Sequence, residues 1–241
     1  MLHIVGLGPG SQELMVPAAV AAMEQAEVIV GYHTYLELIT DYIEGKEVVA
    51  TDMRGEVERC EAAIAIAKEG KRVAIVCSGD AGIYAMAGLV FELLAAKKDH
   101  LDVKIIPGIT ASIGGAALLG APLMNDFVHI SLSDLMTPWE MIERRLKAAA
   151  EADFVICLYN PRSMGRPKHL ESALSMIRDY KGGLIPVGIC KDIGRPNEQV
   201  IVTTIDELNE EDVDMTTTVI VGNKFTKIYD GRMYTPRGYQ L

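Results

Sequence analysis

Val73-Ala74-Ile75-Val76-Cys77 runs straight into Ser78-Gly79-Asp80-Ala81-Gly82-Ile83-Tyr84. An unbroken apolar run, rich in β-branched residues and closed by glycines, reads as a buried strand. The same grammar of strand then glycine loop recurs outward from it. Upstream, Leu2–Val5 runs into Gly6-Leu7-Gly8-Pro9-Gly10. Downstream, Val103–Ile106 runs into Pro107-Gly108-Ile109-Thr110. Val28–Val30 reads as a further strand. Ala18–Ala26, with Pro17 in its first turn, reads as a helix, and so does Val57–Glu69. Strands alternating with helices predict parallel α/β layers.

The pattern then restarts. Phe127–Leu132 reads as a strand. Thr137-Pro138-Trp139-Glu140 reads as a helix start, with a capping Thr, Pro at the first helical position and Glu three residues after the cap. That helix should run to about Ala152, and another lies near Leu170–Tyr180. Phe154–Leu158, Val187–Cys190, Val200–Thr203 and Thr218–Val221 complete the strands. Leu119-Gly120-Ala121-Pro122-Leu123 punctuates the middle as a candidate linker. The expected architecture is α/β: two αβα domains, 1–120 and 121–241, with a cleft between them.

Composition narrows the function classes. The chain has 241 residues, 49% hydrophobic and 23% charged, which suits a globular protein and not a disordered one. A net charge of −10 argues against a nucleic-acid partner, which would want a basic face. The four cysteines are far apart and lack metal spacing, so they read as buried small hydrophobes in a reducing compartment. The five histidines, His3, His33, His100, His129 and His169, are scattered and read as surface or satisfied core residues. No apolar run approaches the ~18 residues of a membrane helix, and the N-terminus reads as a strand, not a signal peptide. The expectation is a cytoplasmic protein with no membrane partner and no bound metal.

Ligands in α/β sheets bind outside the carboxyl ends of the strands, so the loops there carry the chemistry. Gly6–Gly10 suggests a dinucleotide turn, but Pro9 has no N–H and Ser11 stands where the last glycine belongs; a structural turn explains it as well. Asp80 could hold a ligand amine or hydroxyl, or cap the following helix. Thr110 is a good N-cap, and Gly114-Gly115-Ala116-Ala117 allows close helix packing. Tyr159–Arg166 and Lys191–Gln199 are polar loops after strands. Residues 156–200 hold seven Lys/Arg against four Asp/Glu, reversing the global sign. A solvated face is the usual explanation; clustering on strand-end loops points to an anion-binding cleft. There is no G-x-S-x-G elbow and no Walker lysine.

Taken in order, GLGPG at 6–10, VIVGYHTYLELI at 28–39, SGDAGIYAMAG at 78–88, PGITAS at 107–112, ISLSDLMTPWE at 130–140, FVICLYNPRSMGR at 154–166 and VGICKDIGRPNEQV at 187–200 resemble the tetrapyrrole methylases that use S-adenosylmethionine. SLSDLMTPWE, LYNPRSMGR, TTVIVGNKF and YTPRGY look like the branch that methylates carbon 17 of a precorrin and contracts its ring on the route to cobalamin. The resemblance implies a homodimer with the cofactor at Pro9, Ser78, Gly79, Asp80, Ile83, Thr110, Ala111, Asn160 and Gly194. Asn160 stands where several relatives have Met, and Asn125 where the branch often has His. The substrate would be a polycarboxylate, which gives Arg162, Arg166, Lys191 and Arg195 a purpose on an acidic protein. Ring contraction needs an acid or base, for which Asp126, Ser131, Ser133 and Asp134 are the candidates. Ser133 and Asp134 also suit a turn before the Thr137 helix.

Two other readings stay open. A nucleotide-dependent oxidoreductase would use Gly6–Gly10, although Gly31-Tyr32-His33 occupies the place of the ribose-binding acid. A methylase acting on another precorrin carbon is the nearer rival. A non-catalytic interaction module has no use for so many glycine-rich strand-end loops. Cobalt-loaded and metal-free substrates both fit the motifs.

Overall fold

In the computed structural model, which describes residues 1–52 and 55–240, the chain divides into two units, Met1–Ala111 and Ser112–Leu241. The first holds β1 (Leu2–Gly6), α1 (Pro17–Gln25), β2 (Val28–Tyr32), the short helices α2 (His33–Leu36) and α3 (Thr40–Ile43), β3 (Glu47–Thr51), α4 (Glu56–Lys68), β4 (Val73–Cys77), α5 (Met86–Lys97) and β5 (Val103–Ile106). Its sheet is ordered β3-β2-β4-β1-β5, and every pairing is parallel.

Successive side chains on a strand point to opposite faces. Val73, Ile75 and Cys77 of β4 therefore join Leu2 and Ile4 against Cys60, Ile64, Val90 and Leu94 of α4 and α5. Ala74 and Val76 join Val5 and Ile29 against Ala19, Ala22 and Met23 of α1. Helices cover both faces, which is why β4 has no polar alternation. α1 leaves β1 towards one face and α5 leaves β4 towards the other. The loops after the two central strands thus part between β4 and β1, the kind of switch point where open α/β sheets bind ligands.

The second unit holds α6 (Ala111–Leu119, its first residue at the division), β6 (Gly120–Ala121), β7 (Phe127–Ser131), α7 (Trp139–Glu151), β8 (Val155–Tyr159), α8 (His169–Lys181), β9 (Pro186–Lys191), β10 (Gln199–Thr204), β11 (Thr217–Val221), β12 (Lys227–Tyr229) and β13 (Arg232–Tyr234). The main sheet is ordered β10-β9-β11-β8-β7. Only β7 and β8 pair in parallel; β11 runs antiparallel to β8 and β9, and β10 antiparallel to β9. The parallel expectation fails at β9 and β10 because the 192–198 connection between them is too short for a crossover. α7 and α8 cover one face through Ile142, Leu146, Leu170 and Ile177. α6 crosses the other, where a Cβ on Gly115 would stand 3.1 Å from Cys190.

Two local expectations shift. α7 starts at Trp139 with Pro138 in the N-cap position and no side-chain cap, so Thr137 is not the cap. Gly120 and Ala121, inside the stretch read as a linker, form β6 and pair with Met233 and Tyr234 of β13. A Cβ on Gly120 would lie 2.8 Å from the Met233 carbonyl oxygen, so the glycine serves close strand approach. All four cysteines are buried and free. Burial pushes the thiols of Cys60, Cys157 and Cys190 up to about 12. Among the described residues no helix is long and apolar enough to cross a membrane, and no His/Cys/Asp/Glu cluster could hold a metal ion.

Candidate functional site

At the carboxyl edge of the first sheet three loops interlock through glycines. Gly8 N–H donates to the Gly79 carbonyl at 3.1 Å, and Gly79 N–H returns the bond to Gly8 at 2.7 Å. A Cβ on Gly6 would lie 2.7 Å from both Gly108 N and Gly79 O. Gly8 and Gly79 have φ of 78° and 69°, values glycine adopts freely. Asp80 ties the assembly: Oδ1 accepts from Gly82 N–H at 2.8 Å and Oδ2 from Gly108 N–H at 3.0 Å. It does not cap α5, whose N-cap position is Ala85. Ser78, Ile83 and Ala111 are half-buried, while Pro9 and Thr110 are buried.

This loop set departs from a dinucleotide turn at Leu7, Gly8 and Pro9. Leu7 N–H is committed to the Cys77 carbonyl at 2.8 Å and Gly8 N–H to Gly79. Pro9 has no N–H to give. The first three positions of the loop after Gly6 therefore offer a phosphate no free donor. What the loops offer is a carboxylate with spare lone pairs among residues no larger than Ala at 79, 81, 82 and 111. That donor set fits a ligand carrying hydroxyls and an ammonium, as S-adenosylmethionine does.

In the second unit Asn160 follows β8 with φ 51°. Its Nδ2 donates to Ser131 Oγ at 3.0 Å, and that oxygen also accepts Ser133 N–H at 3.2 Å. The structure therefore brings Ser131, Ser133 and Asn160 together. Asp134 is elsewhere engaged: its Oδ2 is 3.1 Å from His169 Nε2, and the His169 ring meets Trp139 edge-on at 4.4 Å. Burial raises the Asp134 carboxyl, but the His169 bond and nearby positive charge outweigh it, so its pKa lies below the ordinary value. Asp126 is exposed, and its carbonyl accepts Val155 N–H at 3.1 Å. Gly194 has φ 70°, and its N–H meets Glu198 Oε2 at 2.7 Å.

The four cations differ in their engagements. Arg162 donates to the Glu210 carbonyl. Lys191 pairs with Asp214 at 2.6 Å, which raises its pKa. Arg195 Nη1 stands 4.0 Å from Asp192, and its Nε is buried without a hydrogen-bond partner among the described residues. Arg166 does not project from its loop. It is 8% exposed and reaches the Asn160 carbonyl at 3.2 Å and Met215 Sδ at 3.7 Å. Arg166→Ala should therefore cost about 1–3 kcal/mol, a few degrees of melting temperature. An unchanged melting curve would free Arg166 for a ligand instead.

One polar group escapes the sequence reading. Ser112, fully buried in the first turn of α6, places Oγ 2.7 Å from His129 Nε2. Its N–H donates to Tyr159 Oη at 3.0 Å, and the His129 and Tyr159 rings lie 5.2 Å apart. Burial pushes the His129 pKa below its ordinary value. The only local signal is the alternation His129-Ile130-Ser131, which puts two polar side chains on one face of a strand.

Comparison with known proteins follows the same lines. A family model of tetrapyrrole (corrin/porphyrin) methylases matches residues 1–209. The chain is 54% identical to a probable cobalt-factor III C(17)-methyltransferase of Salmonella typhimurium, over the full length of both. It is 41% identical to a precorrin-3B C(17)-methyltransferase of a Sinorhizobium species, covering 99% of this chain and 96% of that one. The crystal structure of the methyltransferase CobJ superposes with a TM-score of 0.93 at 39% identity, covering 98% of this chain and 99% of that one.

Proposed function

The chain belongs to the tetrapyrrole (corrin/porphyrin) methylases, and from that premise we propose that it methylates carbon 17 of a precorrin-3B or cobalt-factor III type tetrapyrrole, with ring contraction, in cobalamin biosynthesis. Full-length similarity to relatives named for that reaction supports the reading. The geometry that carries the methyl-donor half is the glycine interlock around Asp80. S-adenosylmethionine, when bound, supplies a methyl group on a sulfonium, a good leaving group, so the protein's task is alignment. Ser78, Gly79, Asp80, Ile83, Thr110 and Ala111 of the first unit would hold it. Asp80 accepts from a hydroxyl or ammonium, and the small residues around it let backbone approach the ligand. Arg162, Lys191 and Arg195 are the cations positioned on strand-end loops to meet substrate carboxylates. Lys191 would do so in exchange for Asp214.

The test is binding followed by product mass. Adenosylhomocysteine should bind and NAD should not; the reverse restores the oxidoreductase reading. Identity is higher to the relative named for cobalt-factor III than to that named for precorrin-3B, 54% against 41%. Cobalt-loaded trimethylated substrate should therefore gain one methyl group and change its absorbance faster than the metal-free form. Preferential turnover of the metal-free form would assign the chain to the other substrate.

A further inference from the structure

Strand direction gathers several segments of the second unit at one edge of its main sheet. β7 and β8 run in parallel, with Ser131 beside Tyr159, so the loops that follow them, 132–138 and 160–168, leave side by side. β11 runs antiparallel to β8 and β9, with Thr217 beside Lys191. The 192–198 loop after β9 and residues 214–216 leading into β11 therefore share that edge. The bases of the first two loops are fixed. Leu132 N–H donates to the Tyr159 carbonyl at 2.8 Å, and Ser131 Oγ accepts from Ser133 N–H and Asn160 Nδ2. Arg166 N–H closes a turn onto the Ser163 carbonyl at 3.0 Å. The tips, by contrast, stand in solvent. Leu135 is 67% exposed and Met136 95%, and Met164, on the turn that Arg166 closes, is exposed in full.

Single exposed apolar side chains are ordinary on a protein surface. These three differ in their company. They occupy two adjoining loops, beside the half-exposed Met215, on the same edge as Arg162, Lys191 and Arg195. None is packed in the core, so the fold does not require an apolar residue there. A tetrapyrrole presents a flat conjugated face with carboxylates around its rim. Apolar tips with cations beside them complement both features on one edge. Methionine suits the first, since its unbranched thioether adapts to a flat surface and makes favourable contacts between sulfur and a π-system. We propose that Leu135, Met136 and Met164 pack on the face of the macrocycle while the neighbouring cations take its carboxylates. The inference rests on the methyltransferase reading above, to which it adds the residues that recognise the ring itself.

The number of side chains favours this occupant over a second copy of the chain. A stable interface between proteins buries about 800 Å² on each partner, about 20–30 residues a side. Three side chains at loop tips fall far short of that and suffice for one face of a macrocycle.

The experiment uses the whole chain, labelled with ¹³C at the methionine methyl groups, and cobalt-loaded trimethylated tetrapyrrole. On addition of the tetrapyrrole the Met136 and Met164 signals should shift or broaden. Adenosylhomocysteine alone should leave both in place. Met124, half-exposed and just ahead of β7 at the opposite edge, should stay put throughout. Met136→Gln/Met164→Gln should weaken tetrapyrrole binding about ten- to a hundredfold. Its adenosylhomocysteine affinity and melting temperature should match the parent, because neither side chain is packed. Met136→Leu/Met164→Leu should bind within about threefold of the parent, since an apolar tip remains. The Gln variant should keep the parent's dependence on salt, since its cations remain. If the parent methylates the tetrapyrrole while the two signals stay unmoved, or while the Gln variant binds like the parent, the proposal is overturned and the functional reading stands. Met136 and Met164 signals that move on dilution of the protein without tetrapyrrole also overturn it, assigning the tips to an interface between copies. A parent that binds adenosylhomocysteine but neither binds nor methylates the tetrapyrrole overturns the functional reading and the proposal together.

Discussion

Gly108→Ala should abolish measurable adenosylhomocysteine binding and lower the melting temperature by about 10 °C. The added Cβ would stand 2.2 Å from the Gly79 carbonyl oxygen, 2.7 Å from the Gly6 carbonyl carbon and 2.8 Å from its oxygen. All three are backbone atoms, so no rotamer change relieves the clash. The Gly79 carbonyl is itself held by Gly8 N–H at 3.1 Å, and Gly108 N–H is held by Asp80 at 3.0 Å. Separating the loops breaks both bonds. Overpacking costs about 1–3 kcal/mol and each lost bond about 0.5–1.5, so about 2–6 kcal/mol in all is expected. Gly88→Ala is the control: nothing lies within 4 Å of its Cβ position, and alanine suits a helix better by up to about 1 kcal/mol. Differential scanning calorimetry and ligand titration of the pair read both effects. Indistinguishable behaviour of the two variants would show that the loops do not interlock as described.

The first sheet was legible because its strands carry their own boundaries. Val73–Cys77 and Val103–Ile106 match the observed β4 and β5, since an apolar run ended by glycine or proline leaves little choice. β3, Glu47–Thr51, is an edge strand of largely exposed residues; its partner β2 supplies the order that its sequence does not. α5 is apolar apart from Glu92 and the terminal Lys97, so no helical period marked it. The second unit shows where pattern stops short. A strand's composition announces the strand but not its direction. That β9 and β10 are antiparallel follows from the 192–198 connection, too short for a helical crossover.

The candidate site divides the same way. Glycine permits close approach, and Gly6, Gly79 and Gly108 meet, but which glycines meet is a tertiary fact. Charge reports nothing about partners. Lys191 and Arg166 both read as cations for substrate carboxylates, yet Asp214 stands beside Lys191 and Arg166 is buried. Ser112 and His129 are 17 residues apart on a helix and a strand. Their meeting depends on how α6 crosses the sheet, a tertiary fact with no local signature.

Asp80→Ala should weaken adenosylhomocysteine binding roughly ten- to a hundredfold and lower stability more modestly than Gly108→Ala. The carboxylate has two duties. Toward the protein it accepts Gly82 N–H and Gly108 N–H at 2.8 and 3.0 Å. Such bonds contribute about 1.5–3 kcal/mol where water is excluded, and less at this half-buried position, where water replaces part of the loss. Toward a ligand, the remaining lone pairs can accept from an ammonium or hydroxyl, again about 1.5–3 kcal/mol. The two duties separate in Asp80→Asn. One oxygen of the amide can still take a loop N–H, but the charge that favours an ammonium is gone. Affinity in Asp80→Asn should therefore stay well below the parent while its melting temperature recovers part of the way. Adding salt should weaken binding in the parent more than in Asp80→Asn, because screening acts on a charge only the parent has. If affinity instead tracks melting temperature across parent, Asn and Ala, Asp80 does no more than tie the loops together, and the ligand is held by backbone alone.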